Sequence, residues 1–277
     1  MARILVSGFR GFIGHHLYRT LADQKHELIG IDLKDGRDIL DLTPDDFEGV
    51  DYVFHLAAQA KVPLSIDRPI FTNRHNVEGT LNVLYCAAKA GVKKVIFSSS
   101  SSIYGDQKES ILHEKMTPNP MSPYGLQKLI GEEYCKMFSQ IYGLKTVSLR
   151  YFNVYGEQMP TDGAYSACIA TFLKQRNEKR GLTIMGGEQT RDFTYVGDVV
   201  NANLYAMESE LGNGQTINIG GGQSYSINEI ANTISKYVKH LPQREGEPMH
   251  TCADNSKAEK LLNWYPTTNV IEWLKSQ

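Results

Sequence analysis

The sequence has few cysteines, no strong excess of one charge and no long apolar run, and each shortage excludes a class of protein. Its four cysteines, at positions 86, 135, 168 and 252, lie far apart and lack the paired spacing of a metal or redox site. We therefore expect reduced thiols and no metal centre. The 29 basic and 31 acidic residues give a net charge of −2, so neither nucleic acid nor an anionic membrane surface is an expected partner.

The N-terminal residues do not resemble a targeting segment. MARILVSG reads directly as a β-strand and lacks the separate charged and apolar regions of a signal peptide. No apolar run reaches the roughly 20 residues that span a bilayer. We expect a cytoplasmic protein that does not contact membranes. With 277 residues and 41% hydrophobic content, the chain can bury one large core or two modest ones.

Strand and helix patterns alternate through the first half of the chain. RILVSG and ELIGIDL read as strands on either side of the helical stretch FIGHHLYRTLADQKH, which together make a βαβ unit. The next strands are DYVFHLAA, KKVIFSSSS and LKTVSLRYF, separated by a helix through NVEGTLNVLYCAAKAG and a second one from YGLQK to about Tyr142. This order predicts an α/β fold with a doubly wound, Rossmann-like parallel sheet over residues 1–153.

The rhythm changes after Asn153, where glycine and loop residues become frequent. Two further strands, LTIMG and QTINIGG, and helices over 164–175, 227–238 and 256–262 predict a smaller C-terminal α/β lobe. We assign residues 154–277 mainly to this substrate-binding lobe and expect later segments to return to the first domain. The stretch from Asp32 to His55 is short, which indicates a lost or reduced βα unit.

A glycine-rich segment directly after the first strand is the first chemical signal. Gly8, Gly11 and Gly14 form G-x-x-G-x-x-G between the strand and the first helix. Small residues let the backbone approach a pyrophosphate, and a helix N terminus offers unpaired N–H groups and a favourable dipole. Asp32, at the end of the second strand, can accept hydrogen bonds from ribose hydroxyls and repels a 2′-phosphate. The sequence therefore predicts a dinucleotide site that favours NAD over NADP.

Tyr124 and Lys128 are the second signal, because they lie four residues apart in a predicted helix. At this spacing both side chains lie on one helix face, so the ammonium can act on the phenol. A solvated pair on a surface helix has the same spacing, and the pair alone does not separate the two interpretations.

Motifs along nearly the whole chain occur in a fixed order. Besides the glycine segment they are HLAA at 55–58, FSSSSSIYG at 97–105, SPYGLQK at 122–128, LRYFNVYG at 149–156, TRDFTYVGDV at 190–199, INIGGG at 217–222 and REGEP at 244–248. Together they resemble the extended short-chain dehydrogenase/reductase family of NAD-dependent epimerases and dehydratases. Within it, the sequence is most similar to nucleotide-sugar 4-epimerases of the UDP-glucose and UDP-N-acetylglucosamine type.

The resemblance implies a catalytic role for three residues. Tyr124 would be the acid/base at the sugar hydroxyl, and Lys128 would hold the nicotinamide ribose while it lowers the phenol pKa. A free phenol has a pKa near 10, and lowering it by about three units requires roughly 4 kcal/mol of preference for phenolate. Ser100, with Ser102 beside it, would hydrogen-bond the reacting oxygen as it becomes a carbonyl.

The resemblance also implies a set of NAD contacts. Asp38 and Ile39 match a pair beside adenine, and Leu56, Ala57 and Ala58 match a wall of mostly small residues along the cofactor. The expected cofactor-binding residues are Gly8, Phe9, Gly11, Phe12, Ile13, Asp32, Asp38, Ile39, Leu56, Ala57, Ala58, Asn76, Ser98, Tyr124, Lys128 and Tyr151. For Asn76, a buried amide that satisfies backbone groups is an equally good interpretation.

A nucleotide-diphosphate sugar is the partner that the resemblance implies. The expected substrate-binding residues are Ser100, Ser102, Tyr124, Asn153, Arg191, Arg244, Glu247 and Thr251. Arg191 and Arg244 would hold the diphosphate, since a forked guanidinium suits phosphate oxygens, and Glu247 would bind the ribose. Thr251 stands where relatives restricted to non-acetylated sugars carry a bulky aromatic residue, which predicts room for an N-acetyl group.

The resemblance thus implies an NAD-dependent UDP-hexose 4-epimerase that works through a transient 4-keto sugar. It also implies a dimer formed through helices 75–90 and 124–142. Open alternatives are a UDP-uronate 4-epimerase or decarboxylase, a 4-ketosugar reductase and a non-catalytic NAD-sensing protein. A sugar 4,6-dehydratase is disfavoured, because Ser101 and Ser102 stand where that enzyme carries an Asp-Glu pair.

Overall fold

Six parallel strands form the central sheet of the protein, in the spatial order Gln215–Ile219, Lys145–Tyr151, Lys94–Ser100, Tyr52–His55, Arg3–Ser7 and Glu27–Ile31. The computed structural model describes residues 1–161, 168–242 and 248–277. The strands are β1 Arg3–Ser7, β2 Glu27–Ile31, β3 Tyr52–His55, β4 Lys94–Ser100, β5 Ile111–Leu112, β6 Lys145–Tyr151, β7 Val154–Tyr155, β8 Leu182–Met185, β9 Thr190–Asp192, β10 Thr194–Tyr195, β11 Gln215–Ile219, β12 Ser224–Ser226, β13 Val238–Leu241 and β14 Cys252–Ala253.

Helices cover both faces of this sheet. They are α1 Phe12–Asp23, α2 Val62–Asp67, α3 Pro69–Asn73, α4 Gly79–Lys89, α5 Pro123–Tyr142, α6 Cys168–Asn177, α7 Val196–Glu208, α8 Ile227–Ile234, α9 Ser256–Leu262 and α10 Val270–Lys275. One apolar core joins Leu17 of α1 and Val199 of α7 to the sheet, and a second joins Val83 of α4 and Cys135 of α5 to it. Apolar strands buried on both faces are typical of a parallel sheet, and the doubly wound α/β prediction is confirmed.

A third apolar cluster gives the C-terminal residues a core of their own. Phe172 of α6, Ile230 of α8 and Trp273 of α10 pack there beside the two-stranded pairing of β8 with β13. The helix predicted over 227–238 ends earlier, at Ile234, and Val238 begins β13. That prediction was wrong because pairing with β8 outweighs the local helical pattern. The division of the chain at residue 153 stays a prediction.

The last strand of the central sheet comes from late in the sequence. Residues 215–219, which the sequence assigned to the second lobe, form β11 and pair in parallel with β6. Thr216 is partly buried and Ile217 to Ile219 are fully buried, because helices cover this strand as they cover its neighbours. The sequence placed this strand with the second lobe and predicted that later segments return to the first domain, and in the structure the strand lies in the central sheet.

The predicted shortening after Asp32 is confirmed. Between β2 and β3 the chain forms the short 3-10 helices Leu33–Asp35 and Pro44–Phe47 and no described strand, so β2 is the edge of the sheet. In contrast, the helix predicted from Asn76 starts earlier. It runs from Pro69 to Lys89 through one π-helical segment, Arg74–Glu78.

Helix α5 forms as its sequence predicts. Ser122 caps its first turn, since the hydroxyl accepts a hydrogen bond from Gly125 N at 3.1 Å, and Pro123 occupies the first helical position. Gly143 ends the helix in the left-handed region, at φ +67°. None of the helices in the described parts of the chain is long and apolar enough to cross a membrane.

Candidate active site

The carboxyl ends of the parallel strands bring the predicted site residues to one edge of the sheet. Ser100, Tyr151 and Ile219 lie side by side in register at the ends of β4, β6 and β11. Ser7 and His55 occupy the matching positions at the ends of β1 and β3. In a doubly wound sheet, ligands bind outside this edge where the strand order reverses.

The glycine segment is shaped for close approach of a ligand to the backbone. Gly8 has φ +75°, and a Cβ there would lie 2.7 Å from Ala57 N. A Cβ on Gly14 would overlap Gly8 O, whereas one on Gly11 would meet that oxygen at 3.1 Å. The main chain is thus packed directly against the HLAA segment, and this cradle at the start of α1 fits a dinucleotide pyrophosphate.

The side chains of this segment pack away from the cradle. A Cβ on Gly30 would meet the Phe9 ring at 2.7 Å, and that ring lies 4.9 Å from the ring of Tyr18. Phe12 and Ile13 are partly buried at the start of α1, against the C-terminal core and the core beneath α1 respectively. These three residues therefore offer main-chain groups to a ligand at the cradle.

Asp32 ties the glycine segment to the end of β2. Its carboxylate oxygens accept hydrogen bonds from Arg10 N and Lys34 N, both at 3.0 Å. A carboxylate has about four lone-pair sites, so acceptor capacity remains for ribose hydroxyls. The Arg10 guanidinium is engaged by Asp35, with Nε 2.6 Å from Oδ2. The Arg10 guanidinium is thus held by a carboxylate, and this pairing favours NAD over NADP.

Asp38 and Ile39, the two residues expected beside adenine, have different environments. Asp38 accepts from Leu40 N at 3.0 Å and lies 3.5 Å from His75 Nε2. Ile39 is buried against Gly79, where a Cβ would overlap its side chain. Ile39 is therefore a core residue, and only its main chain remains for an adenine contact.

Tyr124 and Lys128 lie buried on the face of α5 that meets β4. Lys128 Nζ donates to Ser98 O at 2.7 Å, and it lies 5.9 Å from the centroid of the Tyr124 ring. Ser100 Oγ accepts from Ser102 N and donates to Ser102 Oγ, both at 3.1 Å. The structure thus brings the three predicted catalytic residues together.

Burial controls the ionisation of the tyrosine and the lysine. Loss of solvation raises the pKa of Tyr124 to about 12, although a hydrogen bond with Ser100 opposes the rise. Burial also lowers the pKa of Lys128 to about 8. The lowering of the phenol pKa that the resemblance implied does not occur here, because burial raises this pKa and the Lys128 ammonium donates to Ser98 O.

Asn76 has a structural role in holding the loop after β3. Its side chain accepts from Gln59 N at 2.7 Å and donates to Gln59 O at 3.1 Å and to Gln127 Oε1 at 2.8 Å. Leu56, Ala57 and Ala58, the residues expected along the cofactor, lie partly buried just before Gln59. A direct contact of Asn76 with the cofactor stays a prediction.

A buried chain of hydrogen bonds centred on His55, at the end of β3, holds the same loop. No role was assigned to this histidine from the sequence. His55 Nδ1 lies 2.7 Å from Ser7 Oγ, and His55 Nε2 lies 3.0 Å from Thr80 Oγ1. Since Thr80 donates its proton to Asn76 O, it can only accept from His55, which places a proton on Nε2. Burial keeps the ring neutral, so Ser7 donates to Nδ1 while its oxygen accepts from Ala57 N. Burial lowers the pKa of His55 to about 3, with Lys128 adding repulsion.

Asp192 organises the side of the site expected to bind substrate, and sequence reasoning missed it too. Its carboxylate is fully buried and accepts from the N–H groups of Gly221, Gly222 and Ala253 at 2.5, 3.1 and 2.9 Å. Burial raises its pKa to about 6 despite these donors. Asn153, at φ +23°, donates to Asp192 O at 2.7 Å. The signal available in the sequence was an acidic residue between Arg191 and Phe193 in the TRDFTYVGDV motif.

The other predicted substrate residues divide by location. Arg191 is partly buried next to Asp192, and it donates to Thr190 O at 2.8 Å. Thr251 precedes β14, and its buried Oγ1 has no hydrogen-bond partner within the described residues. Arg244 and Glu247 fall outside the described residues. Tyr151 is buried, and its hydroxyl donates to Asn203 Oδ1 at 3.0 Å.

The fold and the site define a class of enzyme: a doubly wound dinucleotide-binding protein in which serine, tyrosine and lysine meet at the cofactor edge. Residues 4–220 match the model of the NAD dependent epimerase/dehydratase family. The chain belongs to this family. It is an enzyme that uses NAD as its cofactor.

Several UDP-sugar 4-epimerases are similar to the chain over almost its whole length. The UDP-glucose 4-epimerase of Mycolicibacterium smegmatis is 33% identical, with 98% of this chain and 95% of the relative covered. A structure of UDP-N-acetylglucosamine 4-epimerase from Methanobrevibacter ruminantium has a TM-score of 0.94 at 33% identity, covering 99% and 96% of the two chains. UDP-glucose 4-epimerase of Thermotoga maritima, solved with UDP-glucose, has a TM-score of 0.93 at 35% identity over 99% and 96%.

Proposed function

We propose that this protein is a nucleotide-sugar 4-epimerase that inverts C4 of a UDP-hexose, either UDP-glucose and UDP-galactose or their N-acetylated forms. The observation that carries the proposal is the meeting of Ser100, Tyr124 and Lys128 at the edge where the glycine cradle ends. Proton exchange at a sugar hydroxyl requires an acid/base within hydrogen-bond reach, and this buried phenol is the group placed for it. The names of the relatives support the same reaction.

The proton moves through Tyr124. Its phenolate accepts the proton of the sugar 4-hydroxyl as that carbon is oxidised to a ketone, and it returns the proton when the other C4 epimer forms. The chemistry that NAD supplies when bound is reversible hydride acceptance from C4. Ser100 donates a hydrogen bond to the reacting oxygen as it becomes a carbonyl. Lys128 favours the phenolate through its positive charge, since it lies on the same helix face.

The nucleotide serves as a handle that keeps the 4-keto sugar in the site. Among the described residues, we assign Asn153 and Arg191 to the diphosphate. They lie close together, because Asn153 donates a hydrogen bond to the main chain of Asp192, which follows Arg191 in sequence. Binding energy from a part of the substrate that does not react can position the part that does. Inversion then requires the sugar to present its other face while the diphosphate stays bound.

Proton NMR of the purified protein with UDP-glucose, UDP-galactose and their N-acetylated forms tests the proposal. No reductant is added, and the anomeric signals of the sugar are followed. We expect the 4-epimer to accumulate with no net change in NADH. Tyr124→Phe is the matched control, since it removes only the hydroxyl.

The alternative enzymes give different results in the same assay. A uronate epimerase or decarboxylase would leave all four neutral sugars unchanged and convert a UDP-uronate. A 4-ketosugar reductase would need stoichiometric reduced cofactor and a 4-keto sugar. Either pattern would overturn the assignment to neutral hexoses but would leave the family unchanged.

We further propose that Thr251 leaves room for an N-acetyl group at the sugar C2. Its side chain is much smaller than the bulky aromatic residue expected at this position in relatives restricted to non-acetylated sugars. Thr251→Tyr should reduce kcat/KM for UDP-N-acetylglucosamine at least tenfold more than for UDP-glucose, while Thr251→Ser should change both by less than about threefold. Equal losses for the two sugars with the tyrosine variant would contradict the assignment.

We also propose a cytoplasmic homodimer built through α4 and α5. Tyr85 on α4 and Ile141 on α5 expose 45% and 67% of their surface, and a groove of about 400 Å³ lies between the two helices. Two such pairs packed against one another would form a four-helix bundle. Light scattering should give a molar mass twice that of one chain. Ile141→Lys should lower the measured mass toward that of a single chain.

A further inference from the structure

Two serine hydroxyls cap the first turn of α5, and they come from different parts of the chain. Pro123 has no N–H, so the first free backbone donors of the helix belong to Tyr124 and Gly125. Gly125 N donates to Ser122 Oγ at 3.1 Å, which is the local N-cap. Tyr124 N donates to Ser65 Oγ, also at 3.1 Å and 59 residues away in sequence. The main chain of the proposed base is therefore held by a second segment.

Ser65 is built into this contact. It is fully buried on α2, and its hydroxyl donates to Val62 O. Since its one proton is used there, its oxygen can only accept from Tyr124 N. Both bonds fix the rotamer of Ser65, so the acceptor has one position relative to the helix N terminus.

The segment that carries Ser65 is joined to α5 at a second point. Thr72 on α3 is fully buried, and its hydroxyl accepts from Gln127 Nε2 at 3.0 Å. Gln127 also accepts from Asn76, which holds the loop after β3. These two hydrogen bonds reach α5 at Tyr124 and at Gln127, the residue before Lys128. The loop along the cofactor and the catalytic helix are thus linked through buried hydroxyls.

We infer that Ser65 is a positioning residue for Tyr124, and this inference rests on the proposed function. Ser65 touches neither substrate nor cofactor atoms in this assignment, and it acts by fixing the main chain of the base. The phenol oxygen lies at the far end of a long side chain, so a small tilt of the first helical turn displaces it. A displacement of about 1 Å at a reacting group can cost about a hundredfold in rate.

Ser65→Ala and Ser122→Ala form a matched pair for the test. Each removes one hydroxyl that caps α5 and should lower the melting temperature. The loss should be larger for Ser65→Ala, because this variant also loses the bond to Val62 O and leaves Tyr124 N without its acceptor. Only Ser65→Ala frees the backbone of Tyr124. We expect it to lower kcat by about tenfold or more with KM changed by less than about threefold. Ser122→Ala should keep kcat within about threefold of wild type.

Amide hydrogen exchange at Tyr124 provides a readout that does not depend on turnover. Tyrosine labelled at nitrogen is incorporated, and the Tyr124 signal is assigned by its loss in Tyr124→Phe. Exchange at this amide should be faster in Ser65→Ala and unchanged in Ser122→Ala. Ser65→Cys, whose thiol is a weaker acceptor, should lie between Ser65→Ala and wild type in both kcat and exchange.

The outcomes separate the two proposals. If the wild type converts no neutral nucleotide sugar, the proposed function fails. Faster exchange at Tyr124 in Ser65→Ala would still support the role of Ser65 in holding the main chain of Tyr124. If the wild type is active and Ser65→Ala loses no more kcat than Ser122→Ala, the positioning role is overturned. Unchanged exchange at Tyr124 in Ser65→Ala would overturn it as well.

Discussion

Glu132 and Arg150 form a two-point ion pair buried between α5 and the central sheet. Arg150 Nε and Nη2 lie 2.8 and 2.7 Å from the two carboxylate oxygens, and the side chains are 5% and 4% exposed for Arg150 and Glu132. Ser99 Oγ donates to the same carboxylate at 2.5 Å. Glu132 lies one turn after Lys128 on α5, and Ser99 directly precedes Ser100 on β4. The ion pair therefore joins α5 to β6, and the hydrogen bond from Ser99 joins α5 to β4, the strand that carries Ser100.

Breaking this pair should destabilise the protein strongly. Arg150→Met leaves a buried carboxylate without its cation, and we expect the free energy of unfolding to fall by about 3–5 kcal/mol. Replacing both partners, as in Glu132→Leu with Arg150→Met, should recover much of this loss, because no charge then remains buried. Urea denaturation measures the free energy of unfolding of the single and the double variant. The exposed pair Lys145 and Glu210 provides the control, since Lys145→Met should change stability little.

Removal of the Tyr124 hydroxyl should abolish turnover without loss of cofactor binding. A positioned acid/base contributes about 10²–10⁴ in rate, so Tyr124→Phe should lower kcat by at least about a hundredfold. NAD affinity, measured by calorimetry, should stay within about threefold of wild type. Tyr142→Phe, at the exposed end of the same helix, should leave both quantities unchanged. Substantial activity of Tyr124→Phe would remove the phenol from the mechanism.

The charge of Lys128 should appear in the pH dependence of turnover. Burial lowers the pKa of this lysine to about 8, so the ammonium is present below that pH and is lost above it. We expect kcat to fall as the pH rises through about 8, because the cation that favours phenolate disappears. Lys128→Met should have low activity that rises with pH, since only direct ionisation of Tyr124 then supplies the base. A fall near pH 8 that persists in Lys128→Met would assign it to another group.

His55 should make the protein sensitive to acid. Its pKa is lowered to about 3 in the folded protein, against about 6.5 in an unfolded chain. Its contribution to stability is therefore present above pH 6.5 and is lost as the pH falls from 6.5 toward 3, on the order of 4–5 kcal/mol in total. His55→Asn should flatten the pH dependence of the unfolding free energy in this window. The exposed His240→Asn is the control, and equal slopes in wild type and His55→Asn would exclude His55 as the source.

The glycine cradle should distinguish between two neighbouring glycines. A Cβ at position 14 overlaps Gly8 O, so Gly14→Ala should prevent normal packing of the cradle and abolish NAD binding. A Cβ at position 11 meets the same oxygen at 3.1 Å, which a small shift can relieve. Gly11→Ala should therefore keep measurable NAD affinity. Isothermal titration of both variants checks the order, and tighter binding by Gly14→Ala than by Gly11→Ala would contradict it.

Local patterns were sufficient to predict the elements that carry the chemistry. The glycine spacing placed the cradle between β1 and α1, because small residues at a strand-to-helix turn serve few other purposes. The helix predicted from YGLQK to about Tyr142 formed as α5, and the structure caps it with Ser122 and Gly143. The four-residue spacing put Tyr124 and Lys128 on one face. All of these signals come from residues close together in sequence.

The tertiary structure alone decided how these elements support one another. Residues 215–219 joined the central sheet because β6 offered a buried edge, which no local pattern records. Ser65, His55 and Asp192 became important through partners 59, 48 and 61 residues away. The ionisation of Tyr124 also depends on burial, which raised its pKa where the family resemblance implied a fall beside Lys128. Sequence thus determined which groups are present and where each element begins, whereas desolvation and long-range hydrogen bonds, which need the assembled fold, determined their chemical state.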